Sequence, residues 1–278
     1  MSLRRKLAIA TWAAPREGNI FGKITLDATH ALRYLEELRV KTGEKVTITH
    51  LVGKVIGEAL KMTPTLNGRI LFGGFIPHRV VDVSFLVALE NGNDLAKAKV
   101  CGIDQKSVVE VGRELRQRVE RLRGGKDDEF EKGKGVIRLL PPFLLKPMLW
   151  FTGWLTGALG IGAKALGLEA FPFGASIITN VGVFGVDEGF APQTPFARVP
   201  LYVLVGAVRE HLAVINGAIV VQPQITLCAT LDHRFVDGAQ IGTLAKIVRE
   251  KFLDPWSLDA AAPAPIEAPA GAVAAERA

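Results

Sequence analysis

Several stretches of the chain are apolar and rich in β-branched residues, which is typical of buried or half-buried strands. The Asn216-Gly217 pair lies between two such runs and predicts a tight hairpin turn. A second hairpin turn is expected at 91–94. The predicted strands cover residues 19–26, 80–89, 95–100, 176–183, the second half of 194–207, 208–221 as a hairpin, and 225–231.

Other stretches repeat apolar residues at three- and four-residue intervals, which is the spacing of one helical face. Asp27 or Thr29 is expected to begin one helix, and Thr47 or Thr49 another, which Pro64 ends. The last helix follows Asp237, with Gln240 three residues later. The predicted helices cover residues 3–12, 27–39, 47–63, 104–123 and 237–252.

Residues 135–173 are unusually apolar, and 147–163 carry no charge. A membrane-spanning helix needs about 20 apolar residues in succession, but prolines and glycines interrupt this stretch. We interpret it as helical hairpins that cover a hydrophobic surface or lie on a membrane interface. The interrupting residues are Pro142, Pro147, Gly153, Gly157, Gly160 and Gly162.

The helix predicted at 104–123 also carries several arginines. One interpretation is a solvated face with pairs four residues apart, such as Glu114 with Arg118. The alternative is a site for the phosphates of CoA or for acidic lipid. The arginines are Arg113, Arg116, Arg118, Arg121 and Arg123.

The composition is that of a globular protein with one large or two modest domains, since 49% of the 278 residues are apolar and 22% are charged. A net charge of +6 only weakly favours anionic partners, and we expect no nucleic-acid partner. Cys101 and Cys228 lack paired or metal-like spacing, so both are predicted to be buried free thiols in a reducing compartment. Residues 1–14 resemble a short signal peptide, but an opening helix is the preferred interpretation.

His233 lies where a predicted strand ends and a helix begins, in the sequence DHRFVDG. Short loops held by rigid elements often carry catalytic groups. Spacing alone leaves a structural interpretation open, in which Asp237 is only a helix cap and His233 only a loop residue.

DHRFVDG resembles the DHRxxDG signature of the catalytic domain of dihydrolipoamide acyltransferases, the core components of 2-oxo acid dehydrogenase complexes. That domain is similar in fold to chloramphenicol acetyltransferase. Four other stretches resemble the same family in the same order. They are RRKLA at 4–8, ALKMTPTLNGRI at 59–70, TNVG and its following strand at 179–208, and the closing hairpin at 214–231.

The chain departs from the family pattern in three ways. The sequence begins at the catalytic core, with no lipoyl or peripheral-subunit-binding domain before it. Residues 135–173 resemble an insertion, and NDLAKAKV at 93–100 replaces the usual GLxxPV. The first departure leaves the acyl-carrying partner open, and the other two leave the substrate open.

The resemblance implies an α+β fold, a two-layer sandwich with a mixed sheet and helices on one face. It implies a catalytic domain over 1–258, interrupted by the apolar insertion at 135–173. The Ala/Pro-rich stretch at 259–278 is expected to be disordered and resembles an interdomain linker. The family assembles as homotrimers or larger shells of trimers, with each site between two subunits.

The resemblance also implies the chemistry of a CoA-dependent acyltransferase. His233 would be the general base, and Thr179 would donate to the oxyanion. Asp237 would orient the loop, and Asn180 and Arg234 would bind substrate. An arginine near the N-terminus would pair with Asp237, and the candidates are Arg4, Arg5 and Arg16.

CoA would enter as a substrate, and a lipoyl group only if another chain supplied it. Expected partners are acyl-CoA, further copies of the chain, a lipoyl-bearing protein and a lipid surface at 135–173. The expected location is the cytoplasm, with membrane association through 135–173 as an alternative. The competing functions are a non-catalytic scaffold that builds a shell or docks to a membrane, and a thioesterase that uses water.

Overall fold

The computed structural model describes residues 18–89, 94–124, 140–163 and 167–259. The helix predicted at 3–12, residues 91–93 of the predicted hairpin turn, and the tail after 259 that is predicted to be disordered therefore lie outside the described residues.

Strands and helices follow one another along the described chain with short connections. The strands are β1 (Asn19–Asp27), β2 (Gly68–Leu71), β3 (Gly74–Pro77), β4 (Val83–Leu89), β5 (Asp94–Val100), β6 (Ser176–Asn180), β7 (Leu201–Ile215) and β8 (Ala218–Asp232). The α-helices are α1 (Thr29–Thr42), α2 (Ile48–Met62), α3 (Val108–Arg123), α4 (Pro142–Gly153) and α5 (Gly238–Leu253).

Six of these strands form one mixed sheet in the order β1-β8-β7-β6-β4-β5. The pairs β4/β6 and β6/β7 are parallel, and the other neighbours are antiparallel. β7 and β8 form a long hairpin whose turn has Asn216 at φ 52° and Gly217 at φ 82°. Two positive φ angles in succession are those of a type I′ turn, so the hairpin predicted at Asn216-Gly217 is confirmed.

One face of the sheet carries the main hydrophobic core, to which α1, α2, α3 and α5 all contribute. Gly53 lets α2 lie close to the sheet, since a Cβ at this position would be only 2.8 Å from Cε1 of Phe85. Sheet residues on this face include Phe85, Ile178 and Val203, all buried. The predicted α+β architecture with helices on one face of a mixed sheet agrees with this arrangement.

The opposite face has a smaller cluster of buried residues, which is covered by loops and by the apolar stretch. That cluster contains Ile177, Ala197, Val199 and Tyr202. At the β5 edge, Lys99 Nζ lies 2.6 Å from Glu169 and Lys97 Nζ lies 2.9 Å from it. These pairs attach residues 168–173 to the sheet.

The apolar stretch has a different structure from the predicted helical hairpins. Its described part contains α4, which continues into a π-helical turn at Trp154–Ala158. The Nε of Arg69 donates to the Ala158 carbonyl at 2.7 Å, and its guanidinium lies 4.7 Å from the Phe171 ring centre. The prediction of paired helices is therefore wrong for the described residues, since the chain returns there without a second helix.

Most predicted elements are present in the described residues, but the β2–β3 hairpin was not predicted, and the strand predicted from 80 begins at Val83. Two further boundaries differ. The helix predicted from 104 begins at Val108, because Ser107 and Glu110 form a capping box and Ile103–Gln105 form a 3₁₀ turn. The strand predicted over 176–183 ends at Asn180, where a 3₁₀ turn follows.

Two side-chain predictions have different outcomes. Cys228 is a buried free thiol, as predicted, but Cys101 is exposed because it lies in the turn after β5.

On α3, Arg113 and Arg116 both pair with Glu44. The solvated-face interpretation of the α3 arginines fits these exposed pairs.

Candidate active site

His233 is placed by main-chain hydrogen bonds on both sides of β8. The Asp232 amide donates to the Pro200 carbonyl at 2.9 Å, just before β7. The His233 amide donates to the Gly18 carbonyl at 3.1 Å, just before β1. The histidine therefore follows the end of an interior strand, in the connection to α5.

The imidazole of His233 has one nitrogen occupied and one available. Its Nδ1 lies 2.7 Å from the Val236 carbonyl oxygen. A carbonyl can only accept, so Nδ1 carries the hydrogen and Nε2 carries the lone pair. The side chain is exposed, and Nε2 can therefore take a proton from a group that approaches from solvent.

Asp232 holds the loop by binding Arg234. The Asp232 carboxylate, which is buried, accepts from Arg234 Nε at 2.9 and 3.0 Å and from the Arg234 amide at 3.0 Å. Charge-assisted, bidentate pairs of this kind hold their geometry well. These contacts make Arg234 part of the loop's support, and its role in binding substrate stays a prediction.

Asp237 forms the predicted helix cap of α5. Its carboxylate accepts from the Ala239 amide at 2.9 Å, and Gln240 Oε1 accepts from the Asp237 amide at 2.9 Å. The capping box is therefore confirmed. The arginines expected to pair with Asp237 lie before residue 18, outside the described residues, so that pairing stays a prediction.

Thr179 and Asn180 are the last two residues of β6. Strand side chains alternate, and Ile178 belongs to the helix-side core, so Thr179 faces the opposite side of the sheet. Asn180 donates to Thr49 Oγ1 at 2.7 Å and accepts from the Val183 amide at 3.3 Å. Both ends of the Asn180 amide thus support the turn after β6, and its contact with substrate stays a prediction.

Thr179 and His233 are far apart within one chain. Thr179 pairs with Leu204 on β7, and Leu204 pairs with Cys228 on β8. Cys228 precedes Asp232 by four residues. Two strand spacings and four residues of strand put Thr179 roughly 17 Å from Asp232, the residue before His233. The structure therefore does not bring these two predicted site residues together, and a site that contains both needs a second copy of the chain.

Two of the other histidines are unsuited to the role predicted for His233, because burial lowers the pKa of His50 to about 4 and that of His78 to about 4. His30, on α1, has a contact like that of His233, since its Nδ1 lies 2.6 Å from the Leu253 carbonyl. The DHRFVDG sequence around His233, and not this contact, distinguishes the two histidines. His211 lies on the exposed part of β7. In the part of the chain that the structure describes, no group of three or more His, Cys, Asp or Glu side chains is arranged to hold a metal ion.

The family model for the 2-oxoacid dehydrogenases acyltransferase (catalytic domain) matches residues 19–137 and 162–259. The chain belongs to this family. The match includes β6 with Thr179 and the loop with His233, and it leaves out 138–161, where α4 lies. The resemblance drawn from DHRFVDG is thereby confirmed.

A curated relative supports the same membership. The chain is 26% identical over 243 residues to a probable dihydrolipoyllysine-residue succinyltransferase component of the 2-oxoglutarate dehydrogenase complex from Schizosaccharomyces pombe. The alignment covers 84% of this chain and 44% of that protein. The chain thus spans less than half the length of the curated relative.

Solved structures of this family share the fold. A probable dihydrolipoamide acetyltransferase from Listeria monocytogenes aligns with a TM-score of 0.65 at 17% identity, covering 90% of this chain and 89% of that one. The cubic core of the pyruvate dehydrogenase multienzyme complex aligns with a TM-score of 0.64 at 17% identity, covering 92% and 87%. The predicted chloramphenicol acetyltransferase-like α+β fold of the acyltransferase cores is confirmed by this likeness.

Proposed function

We propose that the chain is a CoA-dependent acyltransferase that moves an acyl group between CoA and a thiol or hydroxyl acceptor of the lipoamide kind. The observation that carries the proposal is the imidazole of His233, whose Nδ1 is held by the Val236 carbonyl while Nε2 faces solvent. The relative from Schizosaccharomyces pombe is described as a succinyltransferase, which supports acyl transfer as the reaction.

The proposed reaction uses His233 twice. Nε2 takes the proton of the acceptor thiol, and the thiolate attacks the carbonyl carbon of the acyl-CoA thioester. The bond to the CoA sulfur then breaks, and the imidazolium returns its proton to the departing thiolate. The capped start of α5 keeps the imidazole in place while it changes charge, because Asp237 and Gln240 hold the loop's end.

Thr179 is proposed to stabilise the tetrahedral intermediate. Its hydroxyl would donate to the oxyanion, a contact worth about 10²–10³ in rate for a well-placed donor. Because Thr179 lies roughly 17 Å from Asp232, the residue before His233, in one chain, the donor would come from a neighbouring copy.

We propose a homotrimer or a multiple of trimers as the active assembly. The outer part of the β7–β8 hairpin supports contact between copies, since its apolar side chains are exposed in the single chain. Leu212, Val214, Ile219 and Val221 are 72%, 73%, 74% and 64% exposed. One of the solved relatives is a cubic core of a multienzyme complex, which is consistent with a larger shell.

The catalytic unit is proposed to extend over 1–258, in the cytoplasm. The acyl acceptor would be a lipoyl group carried by another chain. Asn180 and Arg234 are proposed to help bind substrate once the neighbouring copy is in place. The competing proposal is a non-catalytic scaffold. Substitution of His233 distinguishes the enzyme from the scaffold, because only the enzyme has acyl transfer to lose.

His233→Ala should lower acyl transfer by at least ~10²-fold, because the substitution removes the base from an exposed loop. Transfer from acetyl-CoA to dihydrolipoamide would be followed by CoA release, with circular dichroism as a check of folding. His30→Ala is the matched control and should keep most of the activity. Near-normal turnover in folded His233→Ala protein would contradict the enzyme proposal.

Thr179→Ala should lower kcat by roughly 10²-fold, while Thr179→Ser should have a mild effect because the hydroxyl is kept. Thr42→Ala, on the exposed end of α1, is the control. Equal and small effects of the two Thr179 substitutions would mean that Thr179 is only a strand residue.

Mixed assemblies of Thr179→Ala and His233→Ala chains should recover part of the activity. Some interfaces in a mixed trimer pair an intact Thr179 with an intact His233. Activity would be measured after joint refolding, and the mass of the wild-type assembly by light scattering. An active, monodisperse monomer would contradict the trimer.

A second proposal concerns α4, which we infer to lie on an anionic lipid surface. Phe143, Leu144, Trp150 and Phe151 are 73%, 45%, 59% and 53% exposed on one side of this helix, and the exposed Lys146 lies beside them. An aromatic face next to a basic residue is typical of interfacial helices. Among the described residues no helix has the length and hydropathy needed to cross a bilayer.

The double substitution Phe143→Glu, Trp150→Glu should weaken binding to vesicles of phosphatidylglycerol and phosphatidylcholine by about tenfold or more. Vesicle sedimentation measures this, and Val40→Glu, on an equally exposed site of α1, is the control. If only the size of the assembly changes, the face contacts another copy and the lipid proposal is wrong.

A further inference from the structure

Arg198 is a partly buried arginine with one buried donor that the described structure leaves without an acceptor. Its Nε is buried and has no hydrogen-bond partner among the described residues. Its backbone has φ 54°, a left-handed conformation that non-glycine residues adopt rarely. Burial lowers the pKa of its guanidinium, and the cation of Arg234 lowers that pKa further. A buried donor of this kind is costly unless something accepts from it.

Arg198 lies beside the loop that carries His233. Pro200, two residues after Arg198, accepts a hydrogen bond from the Asp232 amide. Two residues span at most about 7 Å, so the Cα atoms of Arg198 and Asp232 lie within roughly 12 Å of each other. Arg234 also lies close to Asp232, because its side chain donates to the Asp232 carboxylate. The Arg234 cation is close enough to lower the pKa of Arg198, so two guanidinium groups lie near the chain that presents the histidine.

The segment outside the family model supports Arg198. A Cβ on Gly157 would lie 3.4 Å from the Cδ of Arg198 and 3.6 Å from its Cβ. A Cβ on Gly153 would overlap the backbone of Phe196. α4 and its π-helical turn therefore pack directly on the 196–198 turn. Gly153 and Gly157 allow this close approach to the turn that carries Arg198.

A guanidinium matches a planar oxyanion because it offers two parallel donors to two acceptor oxygens. We propose that Arg198, with Arg234 beside it, binds the terminal carboxylate of a dicarboxylic acyl group that CoA carries to His233. This subsite rests on the proposed acyl-transfer function and specifies its substrate class. Arg198 is a binding residue in this proposal and takes no part in proton transfer.

An acyl carboxylate suits this position better than a phosphate of CoA. In a succinyl thioester the free carboxylate is only a few bonds from the reacting carbonyl, which must meet His233. The phosphates of CoA are separated from its sulfur by the whole pantetheine arm. Both anions would be bound by the same donors, so the experiment must distinguish them.

The distinguishing experiment compares succinyl-CoA with butyryl-CoA, which has the same phosphates and the same acyl length but lacks the carboxylate. Arg198→Gln should lower the ratio of kcat/KM for succinyl-CoA to that for butyryl-CoA by about 10- to 100-fold, mainly through KM. Arg198→Lys should give an intermediate loss, because it keeps the charge without the planar fork.

Arg209→Gln is the matched control, since Arg209 is an exposed arginine on β7 that pairs with Asp187. It should leave the ratio unchanged. Equal losses with both thioesters in Arg198→Gln would assign Arg198 to CoA phosphates or to contacts between copies, and would overturn the proposal. An unchanged ratio would overturn it too.

Calorimetric binding of the two thioesters to wild-type protein separates this proposal from the proposed function. Tighter binding of succinyl-CoA that Arg198→Gln abolishes supports the subsite even if no acyl group is transferred. Wild-type protein that transfers acyl groups but binds both thioesters equally overturns the subsite and leaves the function standing.

Discussion

The pairing of β8 on both sides, as an interior strand of the sheet, is the constraint on which the rest of the structure depends. β8 pairs with β1 along nine residues. It also pairs with β7 before and after a register shift near Gly206. Those ladders continue into the hydrogen bonds that hold Asp232 and His233. Main-chain pairing on both sides leaves the end of the strand little freedom, so the imidazole is presented by backbone geometry rather than by side-chain packing.

Most of the fold could be predicted because its signals are local. The β7–β8 turn needs two positive φ angles, and Asn216-Gly217 is the pair that adopts them most readily. The cap of α5 needs only Asp237 and Gln240, three residues apart. The start of α3 was misplaced because Asp104 and Ser107 both resemble caps. The Glu110 side chain, which bonds to Ser107, decides between them.

The site was predicted by residue type but not by position. DHRFVDG and TNVG identify His233 and Thr179 through a family resemblance, yet the distance between them depends on registers across β6, β7 and β8. No local pattern contains those registers. Arg198 was missed for a related reason, since its positive φ and its buried Nε depend on the three-dimensional packing around it and carry no signal in the sequence.

The two faces of the sheet are covered in different ways. The helix-side core belongs to α1, α2, α3 and α5, and it lies within the region that the family model matches. The other face carries Thr179, and there the apolar stretch is attached by cations: Arg69 to Ala158, and Lys97 and Lys99 to Glu169. These attachments lie outside the main core, and α4 also packs on the turn that carries Arg198, where a Cβ on Gly153 would overlap the backbone of Phe196. The proposed carboxylate subsite therefore depends on the stretch that the family model leaves out.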